Sequence, residues 1–175
     1  MGFLILAFMK ERILITGYSG SLAQITKKLL TDDYEIIGLT SNKKNVNNKN
    51  IYYWNTSTDE IDEKALENCK HIIHLSGYPI LNRWTKKNKR LMYQSRISAS
   101  NLLFNKCKEL NVSPRTFISA SAIGIYGLNA RGIKSENDEV GADWIARMAS
   151  DWEESAQQFK QIGSRVIQMR ISLLM

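Results

Sequence analysis

Two glycines three residues apart stand between an apolar run and an amphipathic one. In ILITGYSGSLAQITKKLL, Ile13 to Leu30, Gly17 can turn the chain tightly off a strand and Gly20 lets main chain approach an anion with no Cβ in the way. Ala23 permits close packing of helix on strand. The first turn of a helix leaves unpaired N–H groups and carries about half a positive charge, so phosphate is favoured there. On this reading Gly17, Tyr18, Ser19, Gly20, Ser21 and Leu22 cradle the diphosphate of a dinucleotide. The spacing is Gly-x-x-Gly-x-x-Ala rather than the commoner Gly-x-Gly-x-x-Gly, and a plain strand-to-helix turn stays open as the alternative.

The residues that follow the second apolar run decide which dinucleotide. Such sites commonly place Asp or Glu there for the ribose hydroxyls of NAD, whereas basic groups accommodate the extra phosphate of NADP. Here stand Thr40, Ser41, Asn42, Lys43 and Lys44, with no acid and two lysines. NADP is therefore favoured over NAD, with Thr40, Ser41 and Lys43 as contacts; a solvated loop is the alternative.

Other chemistries find less support. The histidines His71 and His74 and the cysteines Cys69 and Cys107 have neither metal-ligand nor Cys-x-x-Cys spacing, so no metal and a reducing, cytoplasmic setting are expected. The net charge of +7 points to an anionic partner. Its densest stretch, NRWTKKNKRLMYQSR from Asn82 to Arg96, is better explained as a lysine-rich solvated helix face than as a nucleic-acid site. The leading MGFLILAF is far short of the ~20 apolar residues that cross a bilayer. No membrane is expected, and residues 1–8 read as an apolar extension to a domain over 9–175.

These residues need elements to hold them, and the chain of 175 residues supplies an alternation. Strand signals fall at Arg12 to Thr16, Glu35 to Thr40, Ile51 to Trp54, His71 to Leu75, Thr116 to Ser119 and Arg165 to Ser172. Helical patterns lie between them: Ser21 to Leu30, with Leu22, Ile25 and Leu29 on one stripe, then Ile61 to Asn68, Lys86 to Leu110 and Ala142 to Ile162. Parallel neighbours need crossovers, and right-handed crossovers cover both faces. The expectation is an α/β doubly wound parallel sheet, a Rossmann fold of order 3-2-1-4-5-6, with its crevice where the order reverses at Gly17.

ITGYSGSLA, IDEKALENCKHIIHLSGYPI, NRWTKKNKRLMYQSRI, FISASAIGIYG, SDWEESA and RVIQMRISLLM, in that order from about Met9 to Met175, resemble the extended short-chain dehydrogenase/reductases. More closely, they resemble the NAD(P)-binding epimerase-family proteins sometimes labelled cell-division inhibitors. The resemblance implies that Leu75, Ser76 and Gly77 lie along the cofactor and that Ser119 to Ser121 close the fifth strand, with Ser121 beside the reacting oxygen of a small-molecule substrate. Arg96 and Tyr78 lie on segments that should face the crevice, where Arg96 can meet an anionic substrate or a cofactor phosphate.

The same resemblance exposes departures. The superfamily's proton donor is a Tyr with Lys four residues on, whose charge lowers the phenol's pKa. No Tyr-x-x-x-Lys occurs, and counting back from Asp151 to Glu153 puts the two positions at Ile145 and Ala149. Tyr126 is the substitute donor to consider, against burial in its loop. His74 reads as a strand histidine, and Trp144, Ile145, Met148 and Trp152 as a packing stripe. Relatives continue for a further hundred or so residues beyond the sixth strand, the region of their substrate pocket, and the edge after that strand favours association into a homo-oligomer. Two classes remain: an NADP-linked oxidoreductase or epimerase, and a module, or inactive fragment, that holds a nucleotide without turnover.

Overall fold

The computed structural model describes residues 10–47 and 49–172; the extension at 1–8 lies outside them. Among the described residues the elements run β1 (Arg12–Thr16), α1 (Ser21–Leu30), β2 (Glu35–Thr40), β3 (Ile51–Asn55), β4 (Glu60–Ile61), β5 (Cys69–His74), α2 (Lys86–Tyr93), α3 (Ala99–Glu109), β6 (Thr116–Ala122), α4 (Trp144–Gln157) and β7 (Arg165–Ile171). They build one sheet of order β4-β3-β2-β1-β5-β6-β7. All pairings are parallel except β3 with β4. Without β4 the order is the expected one, with its reversal at β1.

β1 shows why the central strands read as unbroken apolar runs. Leu14 packs on one face with Ile37, Ile72 and Phe117, while Ile13 and Ile15 pack on the other with Ala23 and Ile73. Both faces of a central parallel strand are buried, so it has no polar side to show. The α3 and α4 side carries the larger core, where Phe117 and Phe159 stack with ring centres 3.7 Å apart. The opposite face carries α1. β7 is an edge strand, half-exposed along most of its length.

The structure corrects four expectations. Ile61 to Asn68 is not a helix but the end of β4 and a single 3-10 turn, Glu63–Ala65. Eight residues offer too little helix to offset nucleation, and Asn68 leaves in the left-handed region at φ 55. The long helix from Lys86 is broken by a π-turn, Gln94–Ser98, into α2 and α3. The last helix ends its α-helical part at Gln157 and tightens to 3-10 over Gln158–Ile162. On α1 the stripe of Leu22, Ile25 and Leu29 turns mostly outward: Ile25 is 60% and Leu29 72% exposed, Leu22 is half-buried, and the buried residue is Ala23. A larger side chain at Ala23 would lift the helix off β1, so proximity to the sheet outweighs apolar content.

Candidate functional site

The crevice opens at the carboxyl ends of β1, β2 and β5. A cleft of about 240 Å³ lies there, lined by Gly17, Tyr18, Ser19, Leu39, Thr40, Ser41, Asn45, Ile51, Trp54 and Ser76. One end is apolar, from Leu39, Ile51 and Trp54; the other is main chain and hydroxyls.

Gly17 sits at φ +64, and a Cβ on it would stand 2.8 Å from the Leu75 carbonyl oxygen. Both the backbone turn and the approach of β1 to β5 therefore exclude a side chain. Gly20 donates its N–H to the Gly17 carbonyl at 2.8 Å and caps α1 without any side-chain hydrogen bond. A Cβ on Gly20 would meet only that carbonyl, at 3.1 Å. The helix mouth is thus left as bare main chain with free N–H groups and no acidic residue in its first turn, the arrangement that favours an anion. Leu22 is not in the cleft lining and borders instead a separate apolar hollow of about 420 Å³ with Thr26, Ile118, Met169 and Ile171.

The Tyr18 ring forms one wall by lying across β2. A Cβ on Gly38 would stand 2.2 Å from that ring, and Lys27 Nζ covers its other side at 3.7 Å from the centre. A glycine inside a strand signals close approach of another group, so Gly38 in EIIGLT marked this contact in the sequence. Thr40 and Ser41 line the cleft, and Thr40 Oγ1 accepts from the Asn42 N–H at 3.2 Å. Lys43 opens a 3-10 turn with its Nζ over the Tyr53 ring, 4.9 Å from the centre, and its side chain is not part of the lining.

Behind the loop lies a buried polar network. Thr16 Oγ1 accepts from the N–H groups of Leu75 and Ser76, both at 3.1 Å, and bonds His74 Nδ1 at 2.8 Å. His74 Nε2 lies 3.1 Å from the Arg96 carbonyl oxygen. Burial pushes the His74 pKa down to about 4, aided by the Arg96 charge and opposed by the carbonyl. Ser76 reaches the cleft, whereas Leu75 gives its N–H to Thr16 and lines the apolar hollow beside Leu22, and Gly77 follows as an exposed residue. Arg96 sits beneath Gly77 and Tyr78, where Nη1 donates to the Tyr78 carbonyl at 3.0 Å.

The serines of β6 stand apart from the cleft. Ser119, 1% exposed, donates to the Ala120 carbonyl at 2.9 Å. Ser121, 3% exposed, donates to Glu153 Oε1 at 2.6 Å. Burial alone would raise the Glu153 carboxyl, but hydrogen bonds from Arg170 and Ser121 hold it below its ordinary value. Arg170 grips both carboxylate oxygens, at 2.8 and 2.9 Å, and donates to Tyr126 Oη at 2.8 Å. Tyr126 in turn donates to the Ser135 carbonyl. Ile145 and Ala149, at the positions of the superfamily's proton-donating pair, are buried apolar residues.

Sequence reasoning missed Asn45, Ile51 and Trp54 as lining and Glu153 and Arg170 as partners of Ser121 and Tyr126. Only their three-dimensional neighbours distinguish them. Among the described residues no group of three or more His, Cys, Asp or Glu could hold a metal, and no helix is long and apolar enough to cross a membrane.

Comparison with known proteins bears on this geometry. The model of the NAD dependent epimerase/dehydratase family matches residues 13–165. An epimerase family protein of Staphylococcus aureus is 30% identical over 167 residues, covering 94% of this chain. The chain spans 56% of that relative's length. A nucleoside-diphosphate sugar epimerase from Corynebacterium glutamicum superposes with a TM-score of 0.74 at 26% identity, over 92% of this chain and 33% of that one. A human epimerase family protein, crystallised with NADPH, superposes with a TM-score of 0.72 at 17% identity, over 91% and 52%.

Proposed function

The chain belongs to the NAD dependent epimerase/dehydratase family, and from that premise we propose that its crevice holds a nicotinamide dinucleotide, NADP in preference to NAD. The observation that carries this is the bare mouth of α1 between Gly17 and Gly20, opening on a cleft of about 240 Å³. The N–H groups of the first α1 turn would take the diphosphate. The apolar end at Leu39, Ile51 and Trp54 would receive the adenine, with Thr40 and Ser41 toward its ribose. With no carboxylate at the end of β2 to hold paired ribose hydroxyls, a 2′-phosphate meets no like charge there, and Lys43 follows in the next turn as the basic group to receive it. The solved neighbours carry either dinucleotide, NADPH in the human epimerase family protein and NAD in a UDP-glucuronic acid 4-epimerase from Bacillus cereus, so the preference rests on the end of β2.

When bound, the cofactor supplies a hydride acceptor or donor. What the chain adds is binding and orientation: Thr16 and His74 hold Leu75 and Ser76 along the crevice, and Gly17 lets β1 approach them. Proton transfer is the part in question. Ile145 and Ala149 cannot exchange a proton, and the Ser121 hydroxyl is committed to Glu153. This favours as a second reading a domain that binds the dinucleotide without turnover by itself. Substrate chemistry of the kind named for the C. glutamicum relative belongs to the proposal only as a class, a small molecule meeting the nicotinamide end.

Titration of the purified chain with NADPH and NADH, followed by nicotinamide or tryptophan fluorescence, tests the proposal. Saturable binding with NADPH tighter is expected. Absence of binding at millimolar cofactor overturns both readings, and tighter NADH overturns the preference alone.

A further inference from the structure

β7 turns its apolar side away from the helix that packs on it. Side chains alternate between the two faces of a strand. Gln168 and Arg170 point to α4, where Gln168 donates to the Glu153 carbonyl at 2.6 Å and Arg170 grips the Glu153 carboxylate. Met169 and Ile171 take the other face, and there they line the hollow of about 420 Å³ with Leu22 and Thr26 of α1, Leu75 after β5 and Ile118 of β6. A strand with one face in water shows its polar residues to the water and its apolar ones to the core. β7 does the opposite.

The wall of the hollow is as unfinished as its floor. Among the described residues α1 is the one helix in the core of this face, which it joins through Ala23 and Leu30. Leu22 and Thr26 border the hollow, while Ile25 and Leu29 are exposed. Residues three and four apart share one side of a helix, so these four make a bank running from the glycine loop to the foot of α1. Floor and bank form one apolar groove, and contiguous exposed apolar surface marks an interaction site.

We propose that the groove seats the chain's own N-terminal segment, residues 1–8. The segment, MGFLILAF, carries no charged side chain and is apolar at every position but Gly2, which matches the groove's own chemistry. Its point of attachment is at the right end. Lys10 Nζ donates at 2.9 Å to the carbonyl of Thr31, the residue that caps the C-terminus of α1, so the chain enters β1 beside the foot of the bank. The ten residues of α1 span about 15 Å, and eight extended residues reach about 26 Å, enough to follow the bank from Leu29 to Leu22. A short tether holds such a segment at an effective concentration on the order of millimolar, ahead of a second copy of the chain. Burial there takes apolar surface of both partners out of water.

The full chain carries the test. Leu4→Cys is combined with Met169→Cys on the floor of the groove or, as control, with Lys108→Cys, exposed on α3 across the sheet, and each pair is treated with a short bismaleimide. Cys69 and Cys107 are buried with their thiols pushed up to about 12, and since the thiolate is the nucleophile, the parent chain is the blank. The first pair should close within one molecule at least tenfold faster than the control, as read by intact mass. Thr26→Glu puts a charge on the bank and Leu6→Asp puts one on the segment; each should slow closure at least tenfold with the circular dichroism unchanged. Leu6→Asp lies outside the sheet and its helices, so it decides the matter even where Thr26→Glu fails to fold. Equal closure in the two pairs, or closure indifferent to Leu6→Asp, overturns the proposal. So does a link formed between two molecules, which would give the groove to a second copy.

Discussion

Thr16 on β1 and His74 on β5, both fully buried, share a hydrogen bond of 2.8 Å. Thr16 Oγ1 already accepts from two backbone N–H groups, so its own proton goes to His74 Nδ1. The imidazole is then neutral with its proton on Nε2, donating to the Arg96 carbonyl. One hydroxyl thus fixes a tautomer, the path of the chain after β5 and the π-turn that carries Arg96.

Acid should dissolve this arrangement. The folded His74 pKa of about 4 lies below its ordinary 6.5, so between these values the unfolded chain binds the proton more readily. The stability that His74 contributes is complete above pH 6.5 and is lost as pH falls towards 4, by about 3 kcal/mol. Urea unfolding from pH 7.5 to 4 should show a steeper decline for the parent than for His74→Gln, the difference between them isolating the histidine from the carboxylates. Parallel declines would show that His74 is not buried neutral.

Thr16→Val keeps the shape and removes the hydroxyl, leaving two backbone N–H groups and His74 Nδ1 unpaired. The expected loss is roughly 3 kcal/mol, read as a lower urea midpoint, with Thr16→Ser restoring most of it. Equal losses in Val and Ser would place the cost in packing instead.

Gly17 and Gly20 should separate folding from binding. Gly17→Ala forces a side chain into the left-handed region and against the Leu75 carbonyl, costing upwards of about 2 kcal/mol together with NADPH binding. Gly20→Val meets only one carbonyl at the helix mouth. It should keep the helical circular dichroism and lose NADPH affinity at least tenfold; retained affinity would refute the phosphate geometry.

Glu153→Ala leaves Arg170 half-buried without its carboxylate and Ser121 without its acceptor. A loss of roughly 3 kcal/mol is expected, against about 1–2 kcal/mol for Tyr126→Phe, which removes two outer hydrogen bonds, from Arg170 and to the Ser135 carbonyl. Thermal unfolding checks the order. A Tyr126→Phe loss as large as that of Glu153→Ala would mean that the phenol, not the carboxylate, anchors Arg170.

Much of the fold was legible because its signals are local or periodic. RILIT and EIIGLT are strands because parallel strands buried on both faces must be apolar throughout, and the sheet order around β1 follows from alternation and crossover handedness. Gly17 announced a turn for a local reason, its positive φ suiting an absent side chain, and Gly20, in ordinary extended backbone, left the helix mouth bare. Ile61 to Asn68 misled because its apolar residues belong to a strand end and a single turn, a difference that periodicity over eight residues cannot express.

The cleft was half legible. Residues on the glycine loop and at the end of β2 were found by their place in the chain, whereas Trp54, Asn45 and Glu153 owe their roles to neighbours far away in sequence. By itself the sequence determined the alternating elements and the bare loop between the first two, since these depend on side-chain size and periodicity within a few residues. The tertiary structure alone decided that Thr16 bonds His74, that Ser121 answers to Glu153, and that Gly77 packs against the Arg96 guanidinium. Hydrogen bonds and buried charges act over a few ångströms, and only the folded sheet brings residues dozens of positions apart within that reach.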